Sequence, residues 1–222
     1  MPRYGMVVDL LRCIGCYGCQ TSCKAENATP RGITWGRVEV TEMGKYPNVT
    51  RLNLPLLCMH CREPECEKVC PSGATVKGED GIVTVDDDKC IGCRYCMVAC
   101  PYGARYFYEK EEGYFGGDTL TPYEAQGYPR HKVGTILKCD FCEHRIEDGK
   151  KKGLKVGVDR EATPACVINC MCKARFFGDL DDPESEVSRL VASGQAFQLN
   201  PELGTDPQVY YLPAGRIVSE NI

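Results

Sequence analysis

Clear apolar–polar patterning is confined to a few short stretches of this 222-residue chain. Residues 4 to 9 alternate well enough to predict a strand, and Leu52, Leu54 and Leu56 alternate into Cys58, the period-two signal of a strand with one buried face. Ile82, Val83 and Val85 predict a third strand. Between the first two, residues 24 to 50 are polar and punctuated by Gly and Pro around Ile33, Trp35, Val38 and Val40, which suggest a hairpin strand with Trp35 in a packing role. Residues 109 to 134 are rich in Glu, Gly, Pro and Tyr without any period and are expected to form a long loop. A second insertion, 146 to 165, carries Lys150-Lys151-Lys152, a charge run expected on a solvated surface. Near the end, Asp182 as N-cap, Pro183 at the first helical position and Glu184 in the first turn predict a helix. Val187, Leu190 and Val191 give it one apolar face, and Gly194 ends it. Two further strands are expected at Ala196 to Leu199 and Val209 to Leu212.

What separates these elements is chemically more specific than the elements themselves. Sixteen of the 17 cysteines fall into four groups: Cys13, Cys16, Cys19, Cys23; Cys58, Cys61, Cys66, Cys70; Cys90, Cys93, Cys96, Cys100; and Cys139, Cys142, Cys166, Cys170. The third group, followed by Pro101, has the CxxCxxCxxxCP spacing that holds cubane iron–sulfur clusters, in which three thiolates serve one cube and the fourth serves another. Gly15 suits the first loop, because a missing side chain lets backbone N–H groups turn inward; Lys24 stands where the third group has its proline. The groups repeat. At an offset of 77, Val8, Asp9, Ile14, Gly15 and the first four cysteines fall on Val85, Asp86, Ile91, Gly92 and the third four. At an offset of 100, Pro64, Cys66, Cys70 and Ala74 fall on Pro164, Cys166, Cys170 and Ala174, so the chain reads as a duplication with insertions. Cys172 is left over and reads as a small buried residue, because Cys170 already completes the repeat; His60 reads as a turn residue.

Disulfide scaffolds are usually short, and their cysteines do not recur in threes at two-residue gaps. Zinc usually takes two separated pairs or histidines, whereas only His60, His131 and His144 are present. The formal net charge is -4, and four thiolate-held cubes at roughly -2 each would bring it to about -12, which opposes nucleic-acid binding. No run reaches the roughly 18 apolar residues of a membrane span, and residues 1 to 9 lead straight into a strand rather than a signal peptide. No nucleophile–base pattern, phosphate loop or GxGxxG is found, so a non-catalytic role is expected.

With its four groups in this order, together with CPSGA at 70 to 74, CPYGA at 100 to 104, GDLDDP at 178 to 183 and LGT at 203 to 205, the chain resembles four-cluster iron–sulfur subunits. These accompany molybdenum or tungsten bis-pterin enzymes of the dimethyl sulfoxide reductase family. The resemblance implies an α+β fold of two ferredoxin-like modules, one nested in the other. The outer module would comprise 1–51 and 109–178, the inner 52–108, and 179–222 would form a C-terminal docking or packing extension. It also implies four [4Fe–4S] clusters with ligands exchanged inside each module: Cys13, Cys16, Cys19 with Cys170; Cys58, Cys61, Cys66 with Cys100; Cys90, Cys93, Cys96 with Cys70; and Cys139, Cys142, Cys166 with Cys23. The function implied is single-electron relay between a Mo/W bis-pterin catalytic subunit and either an integral membrane quinone-reactive subunit or a soluble carrier. A free-standing diffusible polyferredoxin is the alternative. Such a subunit would be cytoplasmic, or exported with a partner that bears a Tat signal.

Overall fold

The computed structural model describes residues 1–115 and 119–214. In chain order the elements are β1 (Tyr4–Asp9), α1 (Gly18–Asn27), β2 (Arg37–Lys45), β3 (Asn48–Leu56), α2 (Glu65–Lys68), β4 (Thr75–Lys77), β5 (Val83–Val85) and α3 (Tyr95–Ala99). They continue with β6 (Tyr106–Phe107), α4 (Pro122–Gly127), β7 (Ile136–Leu137), α5 (Glu143–Lys151), α6 (Ala165–Ile168), β8 (Arg175–Asp179), α7 (Glu186–Ala192) and β9 (Val209–Leu212). A strand therefore precedes every cysteine group, and a strand also follows each one, at once after the last three groups and only beyond α1 after the first.

β1 is the centre of a three-stranded sheet, antiparallel to β8 and parallel to β9. A central strand covered on both sides is apolar on both faces. Tyr4, Met6 and Val8 enter the main core with Trp35, Leu57, Phe141 and Phe177, while Val7 points the other way and packs with Leu180 and Val187 of α7. Gly5 is needed where the chain comes closest, since a Cβ there would collide with Leu180 and the Gln208 carbonyl. The other pairings are two-stranded: β2 with β3, β4 with β5, and β6 with β7. In the first of these, Leu52 and Leu56 are buried at the base, whereas the far end of the hairpin is exposed. Ile33 and Trp35 lie ahead of β2 and pack into the core.

Several expectations are corrected. The segment expected as a loop contains α4, whose Thr121 Oγ1 accepts from the Glu124 backbone N–H while the Glu124 carboxylate accepts from Thr121, with Pro122 opening the helix. A capping box explains why this short stretch is helical without an apolar period. Most of the other insertion is also ordered. α5 is seated by buried Ile146 and by Gly149, which leaves room for Ala162. Lys150, Lys151 and Lys152 are all exposed as expected, and Lys150 lies over the Tyr4 ring with its Nζ 3.8 Å from Asp80. The helix expected from Asp182 starts later, with Ser185 at its N-cap, because the Asp182 carboxylate accepts from the Glu184 N–H and closes a tight turn around Pro183. Of the strand expected at 196 to 199, an isolated bridge between Phe197 and Tyr211 is present.

Candidate metal centres

The first and third cysteine groups are built alike, and the reason begins at an aspartate. Asp9 Oδ1 accepts from the N–H groups of Leu11 and Arg12 (2.9 and 3.1 Å), and Asp86 Oδ1 accepts from those of Asp88 and Lys89 (3.0 and 3.2 Å). Each Asp thereby turns the chain out of its strand and into the cysteine loop. Inside the loops Gly15 and Gly92 both sit at φ 68°, followed by Tyr17 at 58° and Arg94 at 66°. Left-handed residues alternating with ordinary ones turn backbone N–H groups toward one side, the geometry of an anion-binding nest. The same Asp residues also tie groups together. Asp9 N–H donates to the Ala174 carbonyl (2.7 Å) and Asp86 N–H to that of Ala74 (2.8 Å), so each loop begins beside the segment that follows Cys170 or Cys70.

As a result the thiols collect in four places. Cys13, Cys16, Cys19 and Cys170 line one cavity, with Cys172 and Arg175 in its wall. Cys70, Cys90, Cys93 and Cys96 line another. Cys58, Cys66 and Cys100 lie close enough to Cys61 for their charges to act on it. Cys23 lies among Cys142 and Cys166, Cys139 feels both Cys23 and Cys166, and the Asn27 side-chain amide reaches the sulfurs of Cys23 and Cys142 at 3.5 and 3.7 Å.

Burial dominates the chemistry of these thiols. It pushes Cys61 and Cys142 up to about 12 and Cys66 up to about 11, and it raises Cys23 and Cys139 well above the ordinary thiol range. Buried thiolates on this scale are stable only beside positive charge, such as iron. Cys70 behaves differently. Its modest burial works against ionisation, but the Thr75 N–H, the Ser72 hydroxyl and the N–H groups of Ala74 and Ser72 outweigh it and bring Cys70 down to about 7. A space ringed by four sulfur donors and lined with N–H groups fits a thiolate-bound polynuclear cluster. Among the described residues, no three such groups converge closely enough for a single metal ion.

Three features were invisible to spacing alone. His60 is fully buried at φ 43°, and its Nδ1 accepts from the Val83 N–H (3.0 Å), which leaves the proton on Nε2; burial and the nearby Lys138 and Arg105 keep the ring neutral. Its ring stacks on Phe141 at 3.7 Å. These two residues occupy the same place, immediately before the second cysteine of Cys58–Cys61 and of Cys139–Cys142, so the second and fourth groups meet back to back. The other two features are buried arginines. Arg105 donates to Cys66 Sγ (2.9 Å) and Thr75 Oγ1 (3.0 Å), and Arg175 donates to Cys166 Sγ (3.4 Å) and Met6 Sδ (3.4 Å). A signal for them was present: Ala104-Arg105 and Ala174-Arg175 stand equally far beyond Cys100 and Cys170.

These centres define a protein of the ferredoxin type, and residues 49–116 match the 4Fe-4S dicluster domain family. Over 223 residues the chain is 44% identical to a selenate reductase subunit of Mesobacillus selenatarsenatis, covering 93% of this chain and 70% of that protein. It is 40% identical over 236 residues to the arsenate respiratory reductase iron–sulfur subunit of Shewanella sp. strain ANA-3 (95% and 96% covered). It is also 41% identical over 229 residues to the menaquinone reductase iron–sulfur cluster-binding subunit of Nitratidesulfovibrio vulgaris (95% and 88%). The chain belongs to the family of iron–sulfur electron-transfer subunits of molybdenum and tungsten oxidoreductases of the dimethyl sulfoxide reductase type. No helix among the described residues is long and apolar enough to cross a membrane.

Proposed function

We propose that the chain holds four [4Fe–4S] clusters and relays electrons between two partner proteins without binding a substrate itself. The clusters would be held by Cys13, Cys16, Cys19 and Cys170; by Cys139, Cys142, Cys166 and Cys23; by Cys58, Cys61, Cys66 and Cys100; and by Cys90, Cys93, Cys96 and Cys70. Bound clusters of this kind accept and release single electrons at potentials set by hydrogen bonds, charge and exposure. The exchange of Cys170 and Cys23, and of Cys100 and Cys70, corresponds to two ferredoxin-like modules with the inner nested in the outer. The back-to-back stack of His60 and Phe141 supports this arrangement, since it joins the second group to the fourth.

The order in which the thiol sets adjoin one another is the observation that carries this reading. Arg175 lies beside both Cys19 and Cys166, Cys139 is near Cys58, and Arg105 acts on both Cys66 and Cys96. The sets thus follow one another in single file, from that of Cys13 through those of Cys139 and Cys58 to that of Cys90. The middle of the file is the most enclosed, with Cys23, Cys58, Cys139, Cys142 and Cys166 all buried, while Cys16 and Cys93 at the two ends are exposed. An exposed apolar side chain lines each opening, Ile14 (63% exposed) at one and Ile91 (68%) at the other. Exposed apolar groups around a redox site suit protein docking. This chain's residues insulate the middle of the path and open it at both ends.

One end would face a Mo/W bis-pterin catalytic subunit, as the reductase names of the relatives suggest. The other would face a quinone-reactive membrane subunit or a soluble carrier. Purification under anaerobic conditions with metal analysis tests all of this together. About sixteen irons per chain, with molybdenum or tungsten in a copurifying large subunit, is the expected result. A stable lone chain with sixteen irons would make it a diffusible polyferredoxin, and zinc in place of iron would end the proposal.

A further inference from the structure

Arg105 and Arg175 are 4% and 5% exposed, and the groups that act most on them are cysteine sulfurs, joined at Arg175 by the Tyr211 phenol, rather than carboxylates. A guanidinium is rarely buried without an anionic partner, because losing its hydration is costly. Each arginine is poised between two thiol sets. Arg105 hydrogen-bonds Cys66 and lies near enough to Cys96 for its charge to act there, and Arg175 hydrogen-bonds Cys166 while lying near Cys19 and Cys13. Arg175 Nη2 is buried with no acceptor in the protein, so one of its donors is free for a sulfur that the chain does not supply. The two residues also occupy matching local positions, each directly after an alanine and equally far beyond Cys100 or Cys170.

We infer that Arg105 and Arg175 are potential-setting residues, each serving both clusters of its own module. Resting on the four-cluster assignment above, this gives each module one fixed positive charge that offsets the negative charge gained when either neighbouring cluster takes up an electron. A charge held between two centres raises both potentials together and keeps the pair matched, which favours passage in either direction over trapping at one centre. An arginine serves better than a lysine here, because its planar fork can donate toward two sulfur sites at once.

The test is an EPR-monitored redox titration of the chain in its complex, with iron counted per chain, for Arg105→Gln, Arg105→Lys and Arg175→Gln. Arg105→Gln is expected to lower the midpoint potentials of two of the four clusters and leave the other two unchanged. Arg175→Gln is expected to lower the complementary two, while Arg105→Lys keeps most of the native values. Four intact clusters with unchanged midpoints in Arg105→Gln would overturn the inference, and so would Arg105→Lys falling as far as Arg105→Gln. Should Arg105→Gln lose iron, Arg105→Lys decides: native midpoints with full iron support a charge effect, and loss of iron in both variants assigns the residue to structure alone. Fewer than four cluster signals in the unmodified chain would instead refute the underlying assignment.

Discussion

The first and third cysteine groups have identical spacing, yet the helices that follow their loops differ twofold in length. α1 runs for ten residues, through Cys23 to Asn27, whereas α3 stops after five at Ala99. The difference lies in one residue. After Cys100 comes Pro101, which forces the residue before it into an extended conformation, and Cys100 accordingly has φ -83° and ψ 109°. After Cys23 comes Lys24, which continues the helix and whose Nζ donates to the carbonyls of Thr29, Pro30 and Ile33 at 2.9 to 3.1 Å. The longer helix brings Asn27 to the sulfurs of Cys23 and Cys142, a contact with no counterpart in the contacts of α3. Identical metal-binding spacing therefore tolerates different scaffolds, and the scaffold determines which second residue reaches the sulfur.

The comparison can be broken at several levels. The largest effect is expected from Cys19→Ser and Cys96→Ser, equivalent by spacing but assigned to different clusters. Each should remove or convert one cluster, about four of sixteen irons, and the two variants should lose different EPR signals. If both lost the same signal, the assignment of the two groups would fall. Next is Lys24→Pro, which would give the first group the proline of the third. It should end α1 early, remove the Lys24 cap and cost at least about 3 kcal/mol of stability, measured by chemical unfolding under anaerobic conditions. A near-neutral result would mean that α1 beyond Cys23 contributes little.

Smaller effects should separate the two loops further. Gly15 and Gly92 share a φ of 68°, but a Cβ on Gly15 would meet the Asn53 side chain, whereas on Gly92 it would meet the backbone carbonyl of Gly134. A side chain can move aside and a carbonyl held in a turn cannot, so Gly92→Ala should cost about 1 to 3 kcal/mol and Gly15→Ala clearly less. Thermal unfolding of the two variants side by side checks the ranking, and an equal loss in both would show Asn53 to be held as firmly as Gly134. The smallest change is Thr121→Ala, which removes the cap of α4 between the third and fourth groups. It should lower stability by about 1 kcal/mol without altering any EPR signal, and a changed signal would show that α4 supports a cluster directly.

The elements that could be read in advance were those whose signals are local. β1 and β3 were visible as apolar alternation, β5 and β9 as short apolar runs, and the repeat of Asp9 in Asp86 marked the residue that launches each loop. α4 and α5 were missed because their signals are not periodic apolar faces. One is a capping box at Thr121 and Glu124, and the other rests on Ile146 with a close approach at Gly149 that becomes apparent once Ala162 is in place. The start of α7 was misplaced because Asp182 can cap a helix or close a turn, and nothing nearby in the sequence separates the two.

For the candidate centres the division follows range. Sulfur donors at two- and three-residue gaps are a local property, since a cluster's ligands must come from one tight loop plus a returning strand; the class of cofactor therefore follows from spacing. Which charges stand behind those sulfurs is a long-range property. Arg105 and Thr75 meet Cys66, Arg175 meets Cys166 beside Met6, and His60 stacks on Phe141 across 81 positions because β1, β8 and the short hairpins fold the duplicated halves against each other. The sequence by itself determined what this protein binds and the family to which it belongs. Only the tertiary structure decided the order of the thiol sets and the buried charges between them, because those depend on which distant segments share a core.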